Sequence, residues 1–183
     1  MSTTKAHHDA DTTAIEGDRP DTNEIIFYPR GLNIVWGNDS RYWRIPNEAK
    51  PNNGKNPTAE LIQVSWLEVT GSTASLETGK KYKIQFFLSL KSDAFGWNGC
   101  QVYLMAKIGK RGKYKWSKIV LKDQNTTNSG QGTPFPSEEF VIEVPDNVTD
   151  ADKKLYFGLY EVWSGKWKGG LQIHKAVVSK VIN

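Results

Sequence analysis

The chain holds 183 residues, 38% of them apolar, with 24 basic and 20 acidic side chains. That length and apolar share suit one domain with its own core and exclude wholesale disorder. No apolar run reaches the roughly 18–20 residues of a membrane span. The single cysteine, Cys100, excludes an internal disulfide framework and most cysteine-based metal sites.

Taken in chain order, the first stretch is acidic. Residues 1–24 carry six acids and two bases, a net −4, so the rest, with 22 bases and 14 acids, carries +8. Residues 1–22 show no apolar periodicity, which predicts a disordered acidic tail over 1–24 ahead of a folded domain over 25–183. The tail lacks the apolar centre of a signal peptide, so the expected compartment is the cytoplasm, where Cys100 stays reduced. Without an export signal, the sequons at Asn38, Asn125 and Asn147 read as chance matches.

From residue 25 onward the dominant period is two, the signature of strands. Between Tyr82 and Leu90 every even position is apolar, and Val102, Leu104, Ala106 and Ile108 share one face of the next segment. Gly109-Lys110-Arg111-Gly112 turns that segment into Tyr114-Lys115-Trp116, a predicted hairpin. Segments 60–69, 139–144, 155–163 and 171–182 continue the alternation, and 57–63 could form a short helical turn. Stretches 47–58 and 123–137 read as long loops. The pattern predicts an all-β chain, an antiparallel, jelly-roll-like β-sandwich with long loops.

Little in the chain asks for catalysis. His174, the one histidine beyond the first residues, sits inside a predicted strand and reads as structural. Glu138 and Glu139 are adjacent in an extended segment, so they point to opposite faces and cannot form a facing carboxylate pair. No metal or cofactor motif is present, and no enzyme is expected.

Two clusters suggest binding instead. Lys107, Lys110, Arg111, Lys113, Lys115, Lys118 and Lys122 form a basic run with Tyr114 and Trp116 interleaved. Such a hairpin could track a phosphate backbone, with Lys110, Arg111, Lys113, Tyr114, Lys115 and Trp116 as candidate RNA contacts. The same lysines would equally serve to keep a sheet edge from pairing. The other cluster is aromatic. Trp36 and Trp43 flank the polar turn Asn38-Asp39-Ser40-Arg41, and Trp163 and Trp167 flank Ser164-Gly165-Lys166. Pyranose rings stack their C–H faces on indoles while their hydroxyls need amide, hydroxyl and charged partners.

Several blocks carry a family resemblance. Gly31-Leu32-Asn33-Ile34-Val35-Trp36, Arg41-Tyr42-Trp43, Ala59 through Leu67, Gly96-Trp97-Asn98, and Leu155-Tyr156-Phe157-Gly158 running on to Trp167-Lys168-Gly169-Gly170-Leu171 resemble the phloem protein 2 lectins, over about residues 27–182. The resemblance implies a β-sandwich that binds N-acetylglucosamine oligomers, chitin fragments and the N-glycan cores of glycoproteins, often as a homodimer. It implies residence in the cytoplasm, the nucleus or phloem sieve elements, with RNA as an alternative partner and a role in defence. Carried over by position, Trp36 and Trp43 form the sugar platform, with Asn38, Ser40 and Arg41 as polar partners and Glu161, Trp167 and Lys168 as further contacts. Trp66, Trp97 and Trp163 are then expected in the core. One cysteine allows at most one intermolecular link, unlike the cysteine-rich phloem filaments.

Overall fold

Two antiparallel sheets face each other in the computed structural model, which describes residues 5–122 and 130–182. The larger sheet is built on the long pair β7 (Lys81–Phe95) and β13 (Gly169–Lys180), in register from Lys180 opposite Tyr82 to Gly169 opposite Phe95. Its flanks are β1 (Ile15–Glu16), β2 (Glu24–Phe27), β4 (Trp43–Arg44) and β5 (Ala59–Leu61) beside β13, and β10 (Thr133–Phe135) and β11 (Val141–Glu143) beside β7. The smaller sheet runs β3 (Asn33–Ile34), β6 (Leu67–Ser75), β12 (Lys154–Glu161), β8 (Val102–Ile108), β9 (Lys115–Ile119). The expected sandwich is therefore present, and 57–63 contains strand β5 rather than a helical turn. Of the loop expected over 123–137, residues 123–129 lie outside the described residues.

Period-two alternation explains the core. Tyr82, Ile84, Phe86, Leu88 and Leu90 of β7 point inward, against Val102, Leu104 and Ala106 of β8 and Leu155, Phe157 and Leu159 of β12. Each large apolar side chain buried this way contributes about 1.5–3 kcal/mol. Phe157 joins the layers, its ring 5.0 Å from Phe27 and 5.8 Å from Phe86. Gly71 makes room for it, since a Cβ there would fall 2.5 Å from the Phe157 ring.

Strand β13 keeps its inward face by a bulge. Leu171 and Ile173 are buried at odd positions, Ala176 and Val178 at even ones, and the register against β7 shifts between Ile173 and Lys175. His174 is the inserted residue, and the extra step restores the apolar face to the core. Its ring is buried between hydroxyls, with Nε2 2.7 Å from Ser89 Oγ and Nδ1 3.3 Å from Thr58 Oγ1. The structural reading of His174 holds.

The acidic tail is a correction. From Lys5 onward it is laid along the sandwich. His8 exchanges backbone hydrogen bonds with Ile34 at 3.0 and 2.9 Å, the Ala10 amide donates to Asn33 Oδ1 at 2.9 Å, and Ala14 is fully buried. Strand β1 then pairs with β2. Acids of this stretch serve as acceptors. Asp11 caps the 3-10 turn Thr12–Ala14, and Asp18 takes the Ala74 amide at 2.8 Å. Backbone pairing to open strand edges supplies the order that hydropathy could not reveal.

Two outcomes follow from this packing. Deleting residues 5–22 lowers the melting temperature by roughly 4–12 °C, as the loss of about 2–3 kcal/mol does in a domain of this size; an unchanged melting curve would contradict the integral role of the segment. The second concerns pH. Burial lowers the His174 pKa below its ordinary value, so the folded state resists protonation. That contribution is complete above the unfolded value near 6.5 and is lost as pH falls through it towards the folded value. Urea midpoints should drop between pH 7.5 and pH 5, on either side of about 6.5, and drop less in His174→Gln.

Candidate ligand-binding surface

The loop from 162 to 168 begins and ends on a buried ion pair. Glu161 is 2% exposed, Lys168 0%, and Lys168 Nζ bonds the Glu161 carboxylate. The remaining ammonium protons go to Ser65 O at 3.0 Å and Lys166 O at 3.1 Å. Glu161 also accepts from the Ser164 amide at 3.0 Å and the Ser164 hydroxyl at 2.9 Å. Burial pushes the Glu161 carboxyl up, but Lys168 and the Ser164 donors more than offset it and hold it below the usual carboxylate range. The expectation that Lys168 contacts sugar is corrected, since a cation with all its donors spent inside cannot reach a ligand; Glu161, expected beside it, is buried and paired, and both residues position the loop.

Held at both ends, the loop projects its two tryptophans. Trp163 is 61% exposed and Trp167 52%. Trp163 was expected in the core, as was Trp66, and both face solvent; they lie on loop segments beyond the ends of β12 and β6, where strand alternation no longer governs orientation. Trp97 is buried as expected, its indole N–H donating to Gly169 O at 2.9 Å.

The 36–43 turn delivers a different platform from the expected one. Trp36 is exposed in a left-handed conformation, φ 65°, with its amide donating to His7 Nδ1 at 2.9 Å. Trp43, its presumed partner, is 2% exposed within the core cluster. It cannot present a face to ligand, because as the first residue of β4 its side chain takes the inward side. Tyr42, one position earlier, is half-buried against the core. Its ring centre lies 5.8 Å from Trp36 and 6.5 Å from Trp167, the latter pair tilted by only 30°. The surface is thus Trp36–Tyr42–Trp167, drawn from two loops far apart in sequence. The inversion of facing between Tyr42 and Trp43 was the available signal for Tyr42.

Polar groups border this surface. The Arg41 guanidinium lies 5.2 Å from the Tyr42 ring centre and bonds Asp39 through Nε–Oδ1 at 3.0 Å and Nη2–Oδ2 at 2.7 Å. That contact lowers the Asp39 pKa and raises that of Arg41. Ser40 is exposed in the same turn. The Asn38 side-chain amide is committed to Lys5 O and His7 O, both at 2.9 Å, so it ties the turn to the N-terminal segment.

The basic hairpin is divided. Lys110, Arg111, Lys113 and Tyr114 are exposed around the turn. Lys107 donates to Lys110 O at 2.7 Å beneath the Tyr114 ring, and Lys115 donates to Val141 O at 2.6 Å beside Phe140. Trp116 projects from the other face of β9 and meets Tyr103, away from Lys115. The candidate RNA contacts therefore do not share one surface. Among the described residues no group of three or more His, Cys, Asp or Glu is placed to hold a metal, and no helix is long and apolar enough to cross a membrane.

The fold is a two-sheet β-sandwich whose loops carry exposed Trp36, Trp163 and Trp167. The chain belongs to the phloem protein 2 family, whose profile matches residues 22–179. It is 44% identical over 187 residues to Arabidopsis thaliana phloem protein 2-like A9, covering 99% of this chain and 100% of that protein. It is 37% identical over 79 residues to a Luffa acutangula protein named lectin, covering 42% of this chain and 37% of the lectin. Solved structures of similar shape include the carbohydrate-binding module of a Zobellia galactanivorans laminarinase, at TM-score 0.45 and 10% identity over 86% of this chain and 99% of that one. Another is the Podospora anserina mannanase with its binding module, at TM-score 0.48 and 8% identity over 88% of this chain and 28% of that one.

The ion pair can be tested by itself. Lys168→Met and Glu161→Leu should each destabilise the fold by roughly 3–5 kcal/mol, because the partner charge is left buried and unpaired. The double variant should recover much of the loss in urea denaturation. Additive losses would mean that the two side chains do not act as a pair.

Proposed function

We propose that the protein is a carbohydrate-binding lectin for N-acetylglucosamine oligomers, including chitin fragments and the N-glycan cores of glycoproteins. The observation that supports this reading is the row of exposed Trp36, half-buried Tyr42 and exposed Trp167. Rings tilted by 59° and 30° form a curved row that suits successive sugar faces, while Arg41, Asp39 and Ser40 at the border suit hydroxyl and acetamide groups. Membership of a family with a lectin among the relatives points the same way. Binding needs no metal or cofactor in this scheme, since stacking and hydrogen bonds do the work. The expected setting is the phloem, with the protein acting in cytoplasm or nucleus, as a homodimer and in defence against chitin-bearing organisms.

RNA binding through Lys110, Arg111 and Lys113 is the competing reading, and salt separates the two. Calorimetry with chitotriose should give an affinity that barely responds to ionic strength, whereas RNA affinity would fall steeply. Trp36→Ala and Trp167→Ala should each weaken chitotriose binding by about tenfold or more, the effect of losing one stacking contact. Unchanged affinity in both variants would overturn the site, and no binding to any chitin oligomer would overturn the function.

A further inference from the structure

The outer face of the smaller sheet carries aromatic side chains that the Trp36 surface does not use. Antiparallel register places Tyr160 opposite Tyr103, and Met105 opposite both Gly158 and Trp116. Gly158 leaves the Tyr160 ring space, for a Cβ there would fall 2.7 Å from it. At the end of this face Trp163 comes down from the 162–168 loop. Trp116 and Trp163 both meet Tyr103 edge to face at 5.4 Å, with interplanar angles of 80° and 90°. Between them lies a cleft of about 540 Å³, within the range of small-molecule sites, floored by Tyr103 and Met105 and edged by Gln101 and Ser164.

We propose that this cleft is a second carbohydrate site, taking a neutral, β-linked oligosaccharide across the sheet face. The ligand class follows from the lining. Trp116 is 62% exposed and Trp163 61%, an area of indole that a lone domain gains nothing by leaving in water. A flat chain of equatorially linked pyranoses offers C–H faces to such rings. No lysine or arginine lines the cleft, and the Glu161 carboxylate at its edge is already paired with Lys168. Lys118 stands opposite Tyr103 and Lys166 Nζ lies 3.5 Å from where a Gly99 Cβ would sit, so cations border the cleft without lining it, and the lining itself suits a neutral ligand. Gln101, Ser164 and the Tyr103 hydroxyl, which donates to Gln101 Oε1 at 2.6 Å, supply the neutral hydrogen bonds that hydroxyls require. The site stands apart from the Trp36–Tyr42–Trp167 reading and shares with it only the loop that carries Trp163 and Trp167. Two sites on one chain would let a single protomer bridge two glycans.

Seven indole N–H resonances make the test direct, because each tryptophan of the ¹⁵N-labelled full chain reports separately. Chitotriose, cellotetraose and xylotetraose are titrated to millimolar concentration. At least one should shift the Trp116 and Trp163 signals while buried Trp43 and Trp97 stay in place. Trp116→Ala should weaken that response about tenfold, and Trp116→Phe should largely preserve it. Trp36→Ala should leave it unchanged. The proposal is overturned if none of the three sugars moves Trp116 and Trp163, or if only a single-stranded RNA oligonucleotide does. It is equally overturned if their shifts vanish in Trp36→Ala, which would make them part of one site. Silence at Trp36 and Trp167 alone would count against the lectin platform and leave this cleft standing.

Discussion

The buried contact between Glu161 and Lys168 is the constraint on which the arrangement of the tryptophan-bearing loops depends. Burying two charges costs several kcal/mol per ion unless geometry and hydrogen bonding are nearly complete. Here they are complete for the cation, whose three donors reach Glu161, Ser65 and Lys166. The contact closes the 162–168 loop on itself and also ties it to its neighbours. Val64 and Lys168 exchange backbone hydrogen bonds at 3.0 Å, and the Ile62 amide donates to Tyr42 O at 2.8 Å. On the other flank Gly96, at φ +84°, passes so close to Trp167 O that a Cβ would collide with it at 2.2 Å. Four loop segments are thereby fixed relative to one another, and so are the rings they carry. Aromatic surfaces bind by shape, and rings held in place before ligand arrives lose little entropy on binding.

The same contact explains why the late motif was only half legible. A Glu and a Lys beside tryptophans in a turn look like sugar-binding polar groups, and composition cannot separate a charge that meets ligand from one that meets its partner. Glu161 is the last inward residue of β12, following Leu155, Phe157 and Leu159 in strict alternation. Extending that alternation by one step would have placed the carboxylate in the core. A buried carboxylate then requires a buried cation, which Lys168 supplies. The pairing was thus implied by periodicity, although the position of the loop between them was not.

Much of the fold was readable because one local rule governs it. Alternation in β7 and β8 identified the inward residues correctly, and the hairpin from Ile108 to Lys115 followed from its glycines. The rule fails where the chain leaves a strand or inserts a residue. Trp66 and Trp163 lie just past strand ends, Trp43 sits on the inward side of a two-residue strand, and His174 breaks the parity of β13. The N-terminal segment failed for a different reason. Its order comes from backbone pairing with Ile34 and Phe27 and from the Asn33 side chain accepting the Ala10 amide, and a hydropathy pattern carries no information on such partners. Register was inaccessible as well, and it is register that sets Trp116 beside Met105 rather than against the lysines.

Position in the sheet also accounts for the basic charge. β9 is the edge strand of the smaller sheet, the place where an exposed row of amides and carbonyls invites pairing with another chain. Lys115 and Lys118 stand on that edge, and Lys107 is folded back against its own turn. Charge there opposes sheet extension without needing any anionic partner. The aromatic side chains obey the opposite logic. Trp116 occupies the same edge strand and leans onto Tyr103. One short strand thus sets lysines along an edge and a tryptophan on a face, and the pleat puts Lys115 on the opposite side from Trp116 while Lys118 shares its face.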